Sequence, residues 1–433
     1  MKKSILWIGY NFSPEPTGIG KYSAEQIQWL AKNGYECTVL ASYPYYPYWR
    51  VQEPYFKERL WYKTEVEHFD SGGSITIHRC PMFIPGTPSG VKRILLDFSF
   101  FLSALFKLVG LIPGKKFDVV ITILPSVSLG LLGILYKKIR KAKLICHVHD
   151  LQIEAAHDLK MIKSERAIHL LFKLERYIFS QCDEITCVGE GMARKVKEKA
   201  RKDIPLFFNT TDLTMFHPIT EKTQIKKLFG FNPNEKVILY SGAIGEKQGI
   251  ESILYAAEKF KSYKEIKFVI CGCGPYKDNL MLLSQQMRLQ NVKFMAIQPV
   301  EKLNVFLNMA DVHLIVLKSD AADLVMPSKL NTVLAIGGLA LVTANPGSGM
   351  HTIVKEHQMG ILVDAENQEA LSEGILKAIT EDTSSITNNA RKYAEAFLSI
   401  DKIMKGFEDS FLTYDFPEEN AYSPLTGIDA AKL

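Results

Sequence analysis

Cysteine is scarce in this chain: seven among 433 residues, an odd number with no framework spacing. That excludes a disulfide-stapled secreted scaffold and points to a reducing compartment. The close pairs, Cys271-Gly272-Cys273 and Cys182 with Cys187, lack a matching second pair, which argues against a structural zinc site. No Asp-x-Asp pair stands at a strand end, so a common way of holding a divalent cation is missing. The apolar start runs into Gly9, Asn11, Pro14 and Glu15 without a small-residue cleavage site, and reads as a buried first strand. A long uninterrupted apolar run is also missing. Its nearest approach, 94–112, is interrupted by Asp97 and Lys107 and reads as an amphipathic helix packed in its domain and able to touch a bilayer. Net charge is only +5, and no recognised motif accompanies the basic residues, so nucleic acid is not an expected partner.

What is present is an ordinary globular composition, 47% hydrophobic and 23% charged, in a chain long enough for two cores. Charge is unevenly spread: residues 1–212 carry 30 Lys/Arg against 21 Asp/Glu, the remainder 22 against 26. Lys92, Arg93, Lys107, Lys115, Lys116 and the basic run from Lys137 to Lys143 supply the excess, which suits an anionic membrane surface.

Short apolar runs at 5–9, 38–41, 119–124, 144–148 and 184–188 alternate with helical patterns at 23–33, 94–111, 128–140 and 168–181. A second cycle sets strands at 237–241, 267–271, 292–295, 312–316 and 340–343 among helices near 249–263, 276–288, 300–309 and 329–335. This alternation predicts an α/β protein of two doubly wound parallel sheets. The expected organisation is a first domain over 1–212, a linker over 213–235 and a second domain over 236–390. A helix over 391–415 would be able to cross back to the first domain, ahead of an irregular tail over 416–433. Ligands of such sheets sit at the carboxyl ends of the strands, and with two facing domains the cleft between them is the expected site.

The most informative stretch is Leu324 to Leu330, which contains Met326-Pro327-Ser328-Lys329 and runs into an apolar helix ending at Gly337-Gly338. Backbone N–H groups at a helix start attract anions, and Lys329 adds a full charge, so a diphosphate would suit this place. Ser241-Gly242-Ala243-Ile244-Gly245-Glu246-Lys247-Gln248-Gly249 follows the first strand of the second half, where Lys247 can reach the ligand. Gly272-Cys273-Gly274-Pro275 makes another glycine-rich strand end, against which a flat base can lie. In the first half Gly18 and Gly20 open the helix expected near Tyr22. Ser23 stands where the third glycine of a dinucleotide fingerprint would fall, which argues against an oxidoreductase. His147-Val148-His149-Asp150 ends a strand, and His149 with Asp150 makes a candidate pair there, since a carboxylate can fix an imidazole tautomer.

In these residues the chain resembles glycosyltransferase family 4, of the GT-B fold, on the bacterial branch serving colanic acid, O-antigen and capsule synthesis. The resemblance covers about residues 4 to 410. It is carried by the Gly18–Gly20 loop, His149-Asp150, Phe208-Asn209-Thr210-Thr211-Asp212 with Phe216-His217-Pro218, the turn over 241–249, Gly272-Cys273-Gly274-Pro275 and Met326-Pro327-Ser328-Lys329-Leu330. Departures accompany it. Ala243 stands where many relatives carry arginine, and Gln248 where the usual lysine falls, with Lys247 one place earlier. Leu324 and Thr332 take the places of the paired glutamates.

The resemblance implies two Rossmann-like domains and retaining transfer of a sugar from a nucleotide diphosphate, expected to be UDP, to a lipid-linked saccharide. No paired carboxylates are placed for a retaining hydrolase, so front-face displacement is the expected chemistry. Lys247, Ser328 and Lys329 would hold the diphosphate without a metal and without a further cofactor, and His149 would orient the donor sugar. Gly242, Gly245, Gly274 and Thr332 complete the expected donor contacts. The expected place of work is the cytoplasmic face of the plasma membrane, with peripheral attachment. A sugar-nucleotide 2-epimerase, which shares the architecture, and a catalytically inactive nucleotide-binding subunit are the alternatives.

Overall fold

The computed structural model describes residues 2–16, 18–87, 90–124, 126–154, 164–318 and 327–413. The chain divides into two compact units, one made of Met1–Thr210 with the chain from Ile403 on, the other of Thr211–Lys402.

The first unit is built on a sheet of strands β1 (Ser4–Ile8), β2 (Glu36–Ala41), β3 (Lys63–His68), β4 (Ser74–Arg79), β5 (Val119–Leu124), β6 (Lys143–Val148) and β7 (Glu184–Cys187). Their order is β3-β4-β2-β1-β5-β6-β7, and all neighbours are parallel except β3 on β4. Strands β1 and β5 are buried along their whole length, which is why they appear as unbroken apolar runs. Helices α1 (Gly18–Lys32), α2 (Gly90–Leu111), α3 (Leu129–Arg140), α4 (Glu165–Gln181) and α5 (Glu190–Ala200) connect them. The β3–β4 hairpin did not show as apolar runs because β3 is an edge strand with only intermediate and exposed residues.

Helix α2 buries a stripe of Leu96, Phe100, Ala104 and Leu108 at intervals of one helical turn. It is long and apolar enough to cross a membrane by length and composition. Its buried stripe packs on α3 and β2, so within this unit it lies as a surface helix. Toward solvent it turns Ile94, Phe98, Phe106 and Val109, each more than half exposed.

The second unit carries β8 (Lys236–Ser241), β9 (Ile266–Cys271), β10 (Val292–Met295), β11 (Val312–Ile315), β12 (Ala340–Thr343) and β13 (Ile361–Val363). All are parallel in the order β10-β9-β8-β11-β12-β13. This is the doubly wound order whose direction of winding reverses between β8 and β11. Around it lie α6 (Lys222–Leu228), α7 (Glu251–Lys259), α8 (Lys277–Gln286), α9 (Val300–Asn308), α10 (Ser328–Ala335), α11 (Gly349–Glu356), α12 (Gln368–Thr380) and α13 (Ser384–Tyr393).

Two expectations about the connections need correction. Residues 213–235 are not a bare linker: Phe216, Ile225 and Phe231 are buried in the core of the second unit, and α6 forms among them. The polar surface of α6, with its lysines, hid that buried face. Residues 391–402 belong to the second unit, and the chain joins the first only from Ile403. There, in α14 (Ile400–Phe407) and the turn after it, the Phe407 ring stacks on Phe207 at 4.5 Å. Glu408 accepts from Lys2 Nζ at 3.0 Å and the Tyr35 hydroxyl at 2.7 Å. The expected tail from 416 lies outside the described residues.

Candidate functional site

The reversal of winding in the second sheet is where its candidate site forms. After β8 the chain turns through Gly242 and Ala243; after β11 it reaches Lys318, and α10 starts at Ser328 with Pro327 before it and no side-chain cap. Lys329 lies on the first turn of α10, its stem facing Gly242: a Cβ on that glycine would stand 3.6 Å from Lys329 Cδ. The ammonium lies 4.2 Å from the centre of the Tyr240 ring, and Tyr240 donates its hydroxyl to the Ala243 carbonyl at 2.6 Å. Nζ is shut off from solvent and meets no hydrogen-bond acceptor among the described residues. Burial pushes the Lys329 amine down to about 7. Among the described residues its hydrogen-bonding capacity is unused, and an anion is the kind of group that would fill it.

The glycine turns around it have a firm structural purpose. A Cβ on Gly272 would stand 1.9 Å from the Gly242 carbonyl oxygen, and one on Gly274 2.0 Å from that of Ile244. Gly242 N donates to Cys271 O and Ile244 N to Cys273 O, so the loops after β8 and β9 are knit backbone to backbone. Glycine at 274 therefore first serves to close the two loops on one another. Gly245 opens the short 3-10 turn Glu246–Gln248, in which the Lys247 backbone lies; the Lys247 side chain is outside what is described. Ser328 is exposed at the helix start, and Thr332 returns its hydroxyl to the Ser328 carbonyl at 3.4 Å. Leu324 and Met326 lie outside the described residues. The structure thus gathers Lys329, Ser328, Thr332, Gly242 and Gly245 in one region of the second unit.

Gly18, Gly20, His149 and Asp150 belong to the first unit. Helix α1 starts at Gly18, four residues before the expected Tyr22. Gly18 has φ +71°, and a Cβ there would meet the Tyr46 ring at 3.4 Å. At Gly20 a Cβ would fall 2.3 Å from Glu15 Oε2. Glu15, which sequence reasoning did not single out, is buried, accepts from the Tyr45 and Tyr46 amides at 3.1 Å and from Asn11 Nδ2 at 2.9 Å. Burial holds its carboxyl up at about 7 despite those bonds. Gly20 is thus the hollow that admits Glu15, and Glu15 ties the aromatic loop to α1.

His149 is buried and neutral, its imidazole pushed down to about 3 by burial. Its ring stands edge-on to His147 at 4.3 Å, while His147 bonds Thr186 Oγ1 at 2.8 Å. His149 Nε2 has no partner among the described residues. Asp150 is exposed and acts electrostatically on the Tyr10 hydroxyl, so the expected pairing is not made through Nε2. Among the described residues no three His, Cys, Asp or Glu side chains gather as a metal site.

Two Rossmann-like parallel-sheet units in one chain define the GT-B glycosyltransferase class. Solved structures share the fold. A sucrose-phosphate synthase from Thermosynechococcus elongatus superposes with TM-score 0.73 at 16% identity over 94% of this chain and 98% of its own. Anabaena HepE in complex with UDP and glucose gives 0.65 at 13% identity over 94% and 98%. WaaG, a glycosyltransferase involved in lipopolysaccharide biosynthesis, gives 0.66 at 14% identity over 95% and 100%.

The family follows from sequence. Residues 221–397 match the glycosyl transferases group 1 model, and residues 17–205 the glycosyl transferase 4-like domain. The chain is 34% identical over 411 residues to the putative colanic acid biosynthesis glycosyl transferase WcaI of Escherichia coli K12, covering 93% of this chain and 98% of that one. This chain belongs to the group 1 glycosyltransferases, and its activity is glycosyl transfer.

Proposed function

We propose that this glycosyltransferase moves a sugar, with retention of configuration, from UDP to a lipid-linked saccharide in bacterial surface polysaccharide synthesis. The observation that carries the reading is the Lys329 ammonium, buried over Tyr240 at the start of α10 with no acceptor among the described residues. The part of WcaI in colanic acid biosynthesis and of WaaG in lipopolysaccharide biosynthesis, and the UDP in the HepE complex, support the choice of substrates.

In this account the donor diphosphate lies on Lys329, Ser328 and the amides of the first turn of α10, with Lys247 as a second cation and no metal required. The bond from the anomeric carbon to the diphosphate oxygen breaks as the acceptor hydroxyl attacks from the same face. The departing diphosphate takes that hydroxyl's proton, so no protein carboxylate need act as nucleophile or base. Catalysis rests on holding both substrates and stabilising the charge that develops on the leaving oxygen. His149 Nε2, buried and without a partner among the described residues, would orient the donor sugar.

The acceptor's lipid brings the enzyme to the inner face of the plasma membrane. The outward residues of α2 support peripheral attachment, as do the exposed Leu60 and Trp61, which adjoin Tyr62; the Tyr62 hydroxyl donates to Ser103 O on α2. Each such side chain taken up by lipid contributes about 1.5–3 kcal/mol, against about 1 kcal/mol for a lysine near an anionic surface. Apolar insertion therefore outweighs the basic face.

The test is a panel of nucleotide sugars screened for thermal stabilisation of the intact protein. One UDP-sugar should raise the melting temperature more than the other nucleotides do. Equal behaviour of all nucleotides, or none, would overturn the reading.

A further inference from the structure

Asp97 breaks the most apolar helix of the chain. It lies one residue past the buried Leu96 in α2 and is itself half-buried. Burial pushes its carboxyl up to about 7, with Arg93 and a hydrogen bond from Tyr10 pulling the other way. An apolar residue here would extend the helix surface without that cost, so the carboxylate needs a reason.

Its surroundings supply one. Tyr10, just past β1, is buried edge-on against Phe100 of α2 at 5.7 Å. Its hydroxyl lies close to the Asp97 carboxylate and to the Gln152 side chain. Tyr45 is close enough for Asp97 to act on it electrostatically, and its ring meets Trp49 edge-on at 5.7 Å. The Arg93 guanidinium lies 5.4 Å from the Trp49 ring centre. Trp49 sits at φ +53°, a conformation an L residue adopts only when its surroundings impose it. An ionised carboxylate offers about four lone-pair sites, and among the described residues Tyr10 is the one hydroxyl seen close to Asp97. Aromatic rings beside a carboxylate with spare acceptor capacity are complementary to a sugar, which presents C–H faces and hydroxyl pairs. Trp49, Arg93, Asp97 and Gln152 all keep some exposure, so the group is open to a ligand.

We propose that Asp97, with Trp49 and Arg93 beside it, forms a saccharide subsite of the first unit and accepts hydrogen bonds from hydroxyls of the acceptor sugar. The subsite rests on the transferase reading for the identity of its ligand. Its location on α2 sets it on the helix we assign to the membrane, which is where a saccharide on a lipid carrier would be presented.

The experiment uses the full chain and a panel of methyl glycosides of common hexoses, read by saturation-transfer NMR, with UDP titrated in parallel by calorimetry. At least one glycoside should bind, and Asp97→Asn should weaken it about tenfold or more, the loss expected for one hydrogen bond to a charged group. UDP affinity should not change. Trp49→Ala, in a loop, should weaken the same glycoside and serves if Asp97→Asn fails to fold. Absence of glycoside binding, or binding unchanged in both variants, overturns the subsite. A variant that only melts earlier while holding the glycoside as before shows Asp97 to be a structural tie to Tyr10. Failure of the wild-type protein to bind UDP would count against the donor reading and is scored separately from the glycoside result.

Discussion

Replacing Lys329 with Met should produce two effects of opposite sign. Burial lowers the amine from an ordinary value of 10.5 to about 7, which at about 1.4 kcal/mol per decade is roughly 5 kcal/mol against the charged form. Because the surroundings relax around a buried charge, the effective penalty is about 2–4 kcal/mol. Between pH 7 and 10.5 the unfolded chain binds more protons at this residue than the folded one, so stability rises with pH across that window. At pH 7 and below the penalty is fully in force. Methionine keeps the apolar stem beside Gly242 and removes the charge, so the ligand-free protein should gain stability. A gain of 2 kcal/mol is about 4–8 °C in the melting of a unit of this size. UDP affinity should meanwhile fall by about 1–3 kcal/mol, the loss of a charge-assisted contact. Scanning calorimetry of both proteins with and without UDP reads the two effects together. A variant that is less stable, or that binds UDP as wild type does, refutes the argument that the ammonium awaits a diphosphate.

Affinity for an intact UDP-sugar, whose diphosphate does not titrate near neutrality, should be highest below about pH 7 and fall up to about tenfold per unit above it; a flat profile by calorimetry would mean that Lys329 stays charged throughout. Transfer should survive excess EDTA, and loss of activity restored by magnesium or manganese would displace the lysines as the counter-charge. Gly272→Ala should cost about 1–3 kcal/mol or more, because its Cβ meets the Gly242 carbonyl, and urea denaturation of that variant measures it. Phe98→Glu with Phe106→Glu should abolish liposome binding, whereas Gln at Lys92, Lys115 and Lys116 should only weaken it; the reverse ranking in a flotation assay would make attachment electrostatic.

Much of the fold was readable because parallel strands buried on both faces leave runs such as 119–124, and β5 covers those same residues. The segments that escaped are those without such a run. Strand β3 is a charged edge, β13 has three residues, and α6 hides Ile225 among lysines. The place of Lys329 at a helix start was readable, since local sequence decides where α10 begins. Tyr240 was not, because nothing local links a tyrosine in β8 to a lysine in α10. Asp97 was legible only as an interruption of α2, because Tyr10 and Tyr45 are brought near it across the fold. Gly272 and Gly274 invited a ligand-facing interpretation, and their Cα faces turn out to be filled by the neighbouring loop.

Transfer itself is the most direct test. On the proposed reading, membranes from a strain lacking this protein should retain the unglycosylated lipid-linked acceptor; mixed with the purified protein and a panel of labelled nucleotide sugars, they report donor, acceptor and stereochemistry together. Label from one UDP-sugar should pass to the lipid fraction, with the anomeric configuration it had in the donor. An inverted linkage, an epimerised nucleotide sugar formed without acceptor, or UDP binding with no transfer from any donor would contradict the account.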